Sequence, residues 1–434
     1  MLSSLRSLPD LGAQPQGSMN AAAFTLERMD WLMAALGQPQ QQYPSIHVAG
    51  TNGKGSVSAL CAAALQAAGL LVGLFTSPHL RGALQGISIN GALVEQSELE
   101  ASFEGLHPYL EQRTDWTQFE VVTALAFQHF ARAGVGAAVI EVGLGGRLDA
   151  TNVVSPLVSV ITPIDYDHTA ILGSSLPEIA AQKAGIIKAR IPVVLAPQTQ
   201  EVSAVMKQVA QANKTHLIEV GKDFCFEAGG FSLKGQDFEV WPASHPADRI
   251  ALHISLLGAH QVVNAATGYA ALQVARRHGL TLDDAAIRRG FAAARWPGRF
   301  EVLQTRPAVV LDAAHTPHAA RALRRALDDY VPGRPVTLVL GVSADKDLNG
   351  IVDPLRPRIS QVVATQSSHP RALPASELAR RLASLGLLAA AQPTPAAALR
   401  RALAVTGKEG MVLVAGSVFL VEEVRETYSS PHRR

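Results

Sequence analysis

Ile46-His47-Val48-Ala49-Gly50-Thr51-Asn52-Gly53-Lys54-Gly55-Ser56 is the stretch whose reading decides the first half of the chain. A short apolar run predicts a buried strand, the glycines predict a tight turn, and the residues from Lys54 onward open a helical pattern. In such a strand–loop–helix junction the backbone N–H groups, Gly53 and Gly55 among them, converge on an anion at a helix N-terminus. Lys54 then meets β- and γ-phosphates, and the Ser56 hydroxyl meets Mg²⁺. The spacing departs from the usual phosphate loop, because the first glycine stands too close and Gly55 separates the lysine from the hydroxyl. On this stretch alone a purely structural glycine turn is the rival reading.

Outward from the loop, short apolar runs alternate with longer amphipathic stretches from Ile46 to about Val194. That pattern makes parallel strands joined by crossover helices. Candidate strands are Ile46 to Ala49, Leu71 to Phe75, Ala137 to Val142, Leu157 to Ile161 and Pro192 to Leu195. Most are uninterrupted apolar runs, as a sheet covered on both faces requires. Between His216 and Leu257 the pattern turns to short alternating segments, Phe224-Cys225-Phe226 and Ile250 to Ile254, with Gly229-Gly230 read as a turn. These predict a small antiparallel flank, closed by a helix from about Gln261 to His278. Trp296-Pro297-Gly298-Arg299 breaks both periodicities. Beyond it a second, Rossmann-like α/β domain is expected, with strands Ala308 to Leu311, Val336 to Leu340, Gln361 to Ala364 and Met411 to Val414. Its helices lie near Pro317 to Asp329, Pro374 to Ala383 and Pro395 to Val405, each with proline near the first turn, where a missing N–H costs nothing.

Length agrees with this division. The chain has 434 residues, whereas a single hydrophobic core stops growing at roughly 250–300 residues. Two domains, residues 1–295 and 296–434, are therefore expected. Hydrophobic residues are 48% and charged residues 17% of the chain, a balance for buried sheets rather than disorder. A formal net charge of +2 gives little long-range field, so neither nucleic acid nor a membrane surface is an expected partner. No stretch offers the ~18 uncharged apolar residues of a membrane span. Cys61 and Cys225 sit in apolar surroundings far from any second thiol, which predicts two buried, reduced thiols and a cytoplasmic setting.

Glu141 ends a predicted strand and is followed by Gly143-Leu144-Gly145-Gly146-Arg147-Leu148-Asp149, at the edge where open α/β sheets bind ligands. His168, in Asp165-Tyr166-Asp167-His168, follows the next strand, so the chain returns it to the same edge. A carboxylate, an imidazole and a serine hydroxyl are a possible inner sphere for magnesium. Singly, a strand-end glutamate is as well explained as a solvated rim residue, and a histidine as a hydrogen-bonded structural one. Lys183, near the end of an amphipathic helix, is explained singly by charge complementing the helix dipole.

Together these blocks resemble the folylpolyglutamate synthase/dihydrofolate synthase branch of the Mur ligase family, from about Leu26 to Arg425. The matching runs are Gly50 to Ser56, Thr76-Ser77-Pro78-His79-Leu80, Phe119-Glu120, Glu141 to Asn152, Asp167-His168 and Lys183-Ala184-Gly185-Ile186. Later ones are His260-Gln261 with Asn264-Ala265-Ala266, Pro297-Gly298-Arg299-Phe300, Asp312-Ala313-Ala314-His315 and Ala344-Asp345-Lys346-Asp347. Three runs depart from the family. Ala23-Phe24-Thr25 stands where Asp-Leu-Gly is usual, Gln85-Gly86 replaces a Glu-Arg pair, and Thr316 replaces an asparagine.

The resemblance implies an ATP-dependent ligase that adds L-glutamate to dihydropteroate or a reduced folate. Gly53, Lys54, Gly55, Ser56 and Val57 would hold the ATP phosphates, and Asn264, Arg299 and Asp312 would make its remaining contacts, with domain closure completing the site. Ser56, Ser77, Glu141 and His168 would ligate Mg²⁺, joined by Lys183 as a carbamate. Gln118, Phe119 and Glu120, with Leu148, Asp149 and Ala150, would meet the pterin-bearing acid, and His315 the incoming glutamate. A carboxylate is a poor electrophile, so the implied route forms an acyl phosphate that the glutamate amine then attacks, with Lys54, Lys183 and His315 as the catalytic set. The implied state is a monomer. Two rivals share the loop: a peptidoglycan-type Mur ligase, whose UDP-binding domain has no room before Ile46, and a non-catalytic nucleotide-dependent binding module.

Overall fold

The structure, a computed structural model, describes residues 8–9, 25–77 and 86–429. Expectations for Ala23, Phe24, Pro78, His79, Leu80 and Gln85 lie outside them. Among the described residues two compact units form: residues 1–230, 236–255 and 261–295 belong to the first, and 231–235, 256–260 and 296–434 to the second.

The first unit is built on an eight-stranded sheet. Its strands are β1 (Ser45–Ala49), β2 (Val72–Phe75), β3 (Ile87–Ile89), β4 (Ala92–Leu93), β5 (Ala137–Glu141), β6 (Val158–Ile161), β7 (Val193–Leu195) and β8 (Leu217–Glu219). They lie in the order β4-β3-β2-β5-β1-β6-β7-β8. β2, β5, β1, β6, β7 and β8 run parallel, while β3 and β4 add an antiparallel edge. β1, β5 and β6 are buried along their whole length, which is why they read as continuous apolar runs.

Helices cover the sheet: α1 (Glu27–Ala35), α2 (Lys54–Ala67), α3 (Gln96–Leu110), α4 (Gln118–Ala133), α5 (Leu176–Lys183), α6 (Gln200–Ala212), α7 (Ala259–Arg277) and α8 (Asp284–Ala293). One apolar cluster gathers Met29, Leu32, Phe75, Phe127, Phe130 and Ile140, and another gathers Ile161, Ile179, Val193, Val202 and Met206. On α2, a Cβ added at Gly290 of α8 would stand 2.4 Å from the Ala64 Cα, so glycine is what lets these two helices approach.

A three-stranded sheet of β9 (Phe224–Ser232), β10 (Gly235–Pro242) and β11 (Ile250–Ile254) is the expected small flank. Two details differ from expectation. Gly229-Gly230 lies inside β9, and the turn is Leu233-Lys234 ahead of Gly235, which takes φ 146°. Leu217–Glu219 does not join the flank but pairs parallel to β7, extending the large sheet. Cys61 is buried, but Cys225 is only half-buried, because alternation along β9 turns Phe224 inward and Cys225 outward; both thiols are free.

In the second unit the strands are β12 (Glu301–Thr305), β13 (Ala308–Leu311), β14 (Val336–Leu340), β15 (Ile359–Ala364), β16 (Ala389–Ala391) and β17 (Met411–Ala415), ordered β12-β13-β17-β14-β15-β16. All pairs are parallel except the β12–β13 edge. Helices α9 (Pro317–Tyr330), α10 (Leu348–Leu355), α11 (Ala375–Ser384), α12 (Pro395–Val405) and α13 (Val418–Ser429) connect them. Val310, Leu323, Leu338, Ile351, Leu378 and Leu413 are part of its core. Both units are α/β, as expected. No helix among the described residues is long and apolar enough to cross a membrane.

Candidate active site

β1 ends at Ala49, and the chain turns through Gly50 to Gly53 into α2, whose first residue is Lys54. Two glycines make this turn possible. A Cβ on Gly50, at φ 143°, would meet Thr162 Oγ1 at 1.9 Å, and one on Gly53, at φ 88°, would meet Asn264 Oδ1 at 2.3 Å. Asn264 is thus packed on the loop, and its amide is oriented by a 3.0 Å bond to Gln261 Oε1. A second clamp comes from the segment after β6. The N–H groups of Thr51 and Asn52 donate to the Pro163 carbonyl, while the Thr51 hydroxyl donates to the Asp165 carbonyl and accepts the Asp165 N–H. The loop is held from both sides before any ligand arrives, which is the preorganisation an anion cradle needs.

The ends of β5 and α5 and the segment after β6 collect the remaining groups. Glu141 closes β5 and is buried; its carboxylate lies 4.0 Å from Lys54 Nζ and accepts the Ser77 N–H at 3.3 Å. His168 follows β6 in a left-handed conformation, φ 50°, with Asp167 beside it at 3.7 Å. Lys183, the last residue of α5, is buried and donates a 2.7 Å bond to the Gly50 carbonyl. Burial first, and the positive charge of Lys54 second, push its pKa down to about 7 despite Asp167 and Asp149. A buried side chain tied to the loop is not the solvated dipole-complementing lysine that its position alone would allow.

Among the described residues no three His, Cys, Asp or Glu side chains gather to make a protein-only metal cage. The donor types at this end of the sheet are the Glu141 carboxylate, 4.0 Å from Lys54, the residues Ser56 and Ser77, and the 163–168 segment that clamps Thr51 and Asn52. That set fits magnesium, which takes one or two carboxylates and fills its octahedron with phosphate oxygens and water. It does not fit a thiolate or multi-histidine metal.

The acid-binding candidates divide by direction. Glu120 is buried and spent on structure: it accepts from Arg28 Nε at 2.8 Å and from the Thr117 N–H and hydroxyl, closing the capping box of α4. Asp149 is also buried, accepting from the Leu144 and Thr151 N–H groups, and desolvation raises its pKa. Ala150 is buried too. Phe119 lies against Gly143, where an added Cβ would sit 2.5 Å from its ring, and 6.0 Å from the Phe75 ring. Leu148 is exposed. Gln118, Phe119 and Leu148 therefore keep the more accessible side chains. Sequence reading missed Arg28, whose role is set by a partner far along the chain.

The second unit gathers its own candidates at the end of β13. Asp312 is buried and accepts the N–H groups of Phe300 and Ala314 at 2.9 and 2.8 Å; desolvation raises its pKa against the pull of Arg299. His315 Nδ1 lies 2.9 Å from the Ala313 carbonyl. Desolvation, then Arg299 and His318, push His260 down to about 4. Thr316, the departure from the family's asparagine, caps α9 by accepting the Ala319 N–H, a task both residue types perform well.

A family model for the Mur ligase middle domain matches residues 48–272, and one for the Mur ligase glutamate ligase domain matches residues 298–418. The chain belongs to the Mur ligase family. Its place in the folylpolyglutamate and dihydrofolate synthase branch follows from relatives covering most of it. A dihydrofolate synthase/folylpolyglutamate synthase of Bacillus subtilis is 33% identical across 92% of this chain and 94% of its own. A probable bifunctional folylpolyglutamate synthase/dihydropteroate synthase of Halobacterium salinarum is 37% identical over 92% of this chain, which spans 49%, about half, of that relative. Among Mur ligase structures, Escherichia coli FolC in complex with DHPP and ADP superposes with a TM-score of 0.84, at 31% identity, covering 95% of this chain and 98% of that one.

Proposed function

We propose that this Mur ligase adds L-glutamate to dihydropteroate, to reduced folates, or to both, using ATP and an acyl-phosphate intermediate. The observation that carries the reading is the clamped Gly50–Ser56 turn, with Lys54 beside Glu141 and Lys183 anchored on Gly50. Relatives of this branch, one of them seen with ADP and DHPP, support the choice of substrates.

In the proposed mechanism the loop amides and Lys54 hold the triphosphate and spread its charge, while Asn264 serves the base end of the nucleotide. Gln118, Phe119 and Leu148 hold the organic acid, with Glu120, Asp149 and Ala150 fixing the segments that carry them. The carboxylate attacks the γ-phosphorus, ADP leaves, and the glutamate amine displaces phosphate from the acyl carbon. Magnesium would be held by Ser56, Ser77, Glu141, His168 and a carbamate on Lys183, and would supply positive charge against the phosphate oxygens. A Lys183 amine with a pKa near 7 is largely neutral at slightly alkaline pH, the form that adds to CO₂ with loss of a proton. Arg299 and Asp312 are assigned to the nucleotide and His315 to the incoming glutamate. On this reading residues 1–295 carry ATP binding and residues 296–434 glutamate ligation, in a cytoplasmic monomer whose partners are small molecules.

The test is ADP release and mass-resolved products with ATP, Mg²⁺ and glutamate, supplied with dihydropteroate or with tetrahydrofolate. Glutamylated product from either acid supports the reading, and ADP release indifferent to both rejects it.

A further inference from the structure

We propose that a groove in the first unit, at the opposite sheet edge from the phosphate loop, binds a small organic anion with an apolar body. The cavity, about 410 Å³, lies where β7 and β8 begin, against the β9–β10 pair and the end of α7. That volume is within the range of small-molecule sites. Its floor is apolar: Phe224 and Val274 are buried, and Pro192, Leu217 and Pro242 complete it. The edge-on contact of Phe224 with Tyr269, 6.0 Å between ring centroids, fixes the floor's largest side chain.

The rim is basic. His216, Arg277 and His278 line the opening, and the side chain of none of the three makes a hydrogen bond or ion pair among the described residues. Neighbouring Arg276, by contrast, pairs with Asp284 at 3.6 Å. The one acidic residue on the lining, Asp223, is turned to its own chain, accepting the Glu219 N–H at 2.7 Å. The Ser244 hydroxyl lies 2.9 Å from His245 Nδ1.

A helix C-terminus normally repels anions. Here three carbonyls near the end of α7 are taken up: His278 N–H donates to Val274, Gly279 to Arg276 and Leu280 to Ala275. That closing turn reduces the adverse partial charge beside Arg277. An arginine without an ion-pair partner on the lining of an apolar groove selects an aromatic carboxylate or sulfonate over a neutral ring or a bare inorganic ion. The groove is separate from the phosphate loop. Asn264, which packs on Gly53, and Arg277 stand on the same helix about 20 Å apart at 1.5 Å per residue.

The probe is 2-naphthoate, titrated calorimetrically into the full chain, with 2-naphthalenemethanol as its neutral counterpart. Expected is one saturable equivalent, weakened at least about tenfold by Arg277→Gln and for the alcohol, and unchanged by Arg276→Gln, by Lys54→Ala or by saturating ADP. Absence of saturable binding, equal affinity for acid and alcohol, wild-type affinity in Arg277→Gln, or displacement by ADP would each overturn the proposal.

Discussion

Lys183 Nζ donates to the Gly50 carbonyl at 2.7 Å across 133 positions of sequence, so the end of α5 is tied to the first residue of the Gly50–Ser56 turn. Removing the amine therefore does two things: it frees the Gly50 carbonyl and deletes the site proposed for the carbamate. Lys183→Ala is expected to lower kcat about a hundredfold or more. The carbamate is separated from the tether by CO₂. Wild-type rate should fall in CO₂-depleted buffer and recover with bicarbonate, while Lys183→Ala responds to neither. An unchanged rate in the variant removes the carbamate from the mechanism.

Burial of the same amine sets a pH dependence of stability. Its folded pKa lies near 7, below the ordinary 10.5. Between those values the unfolded chain binds a proton that the folded chain has released, so stability rises as pH climbs from about 7 and is least below it. The slope has a ceiling of about 1.4 kcal/mol per pH unit. In CO₂-free buffer, urea unfolding of wild type should gain about 1–2 kcal/mol between pH 7 and 9 relative to Lys183→Met. A difference between the two proteins that does not move with pH would show that Lys183 is not desolvated.

Arg28 and Glu120 form a buried pair at 2.8 Å, with side chains only 7% and 6% exposed. Breaking such a pair leaves a charge without its partner, and here it also opens the capping box of α4. Because Arg28 keeps Asp115 at 3.5 Å, Glu120→Ala is expected to cost about 2–4 kcal/mol rather than more. Its KM for dihydropteroate, the proposed acid, measured well below the melting transition, should stay within about threefold of wild type. A large KM change with unaltered stability would return Glu120 to the substrate contacts.

The fold was legible where burial is two-sided. β1, β5, β6, β14 and β17 are apolar at nearly every position, so their runs announce a covered sheet. Edges were not legible. Glu301–Thr305 is only half-buried and Ala389–Ala391 is three alanines, neither of which a pattern separates from a loop. Glycine was read as punctuation at Gly229-Gly230, where an exposed strand tolerates it instead. In the site, local motifs set Lys54 at the head of a helix and Glu141 at a strand end, where the structure has them, whereas the reach of Lys183 to Gly50 needed the fold. Long-range partnerships such as Arg28 with Glu120 carry no local signal, and nothing local shows that the Asp149 carboxylate, named through the resemblance, accepts the Leu144 and Thr151 N–H groups.

Gly53 and Asn264 form the tightest test of the loop, because the backbone and the neighbouring helix constrain the same atom. Alanine at 53 would be strained twice, by φ 88° and by a Cβ placed 2.3 Å from Asn264 Oδ1. Backbone strain of this kind costs about 1–3 kcal/mol. The Asn264 side chain can yield only by giving up its bond to Gln261. Gly53→Ala is therefore expected to remain folded by circular dichroism while its ADP affinity falls at least about tenfold, equivalent to 1.4 kcal/mol. Adding Asn264→Ala removes the steric clash but not the strained φ, and it also deletes the proposed contact to the base. The double variant should recover no more than part of the lost affinity. Full recovery would mean that Asn264 acts as a packing wedge and makes no contact with nucleotide, and wild-type affinity in Gly53→Ala alone would mean that the turn does not hold phosphate.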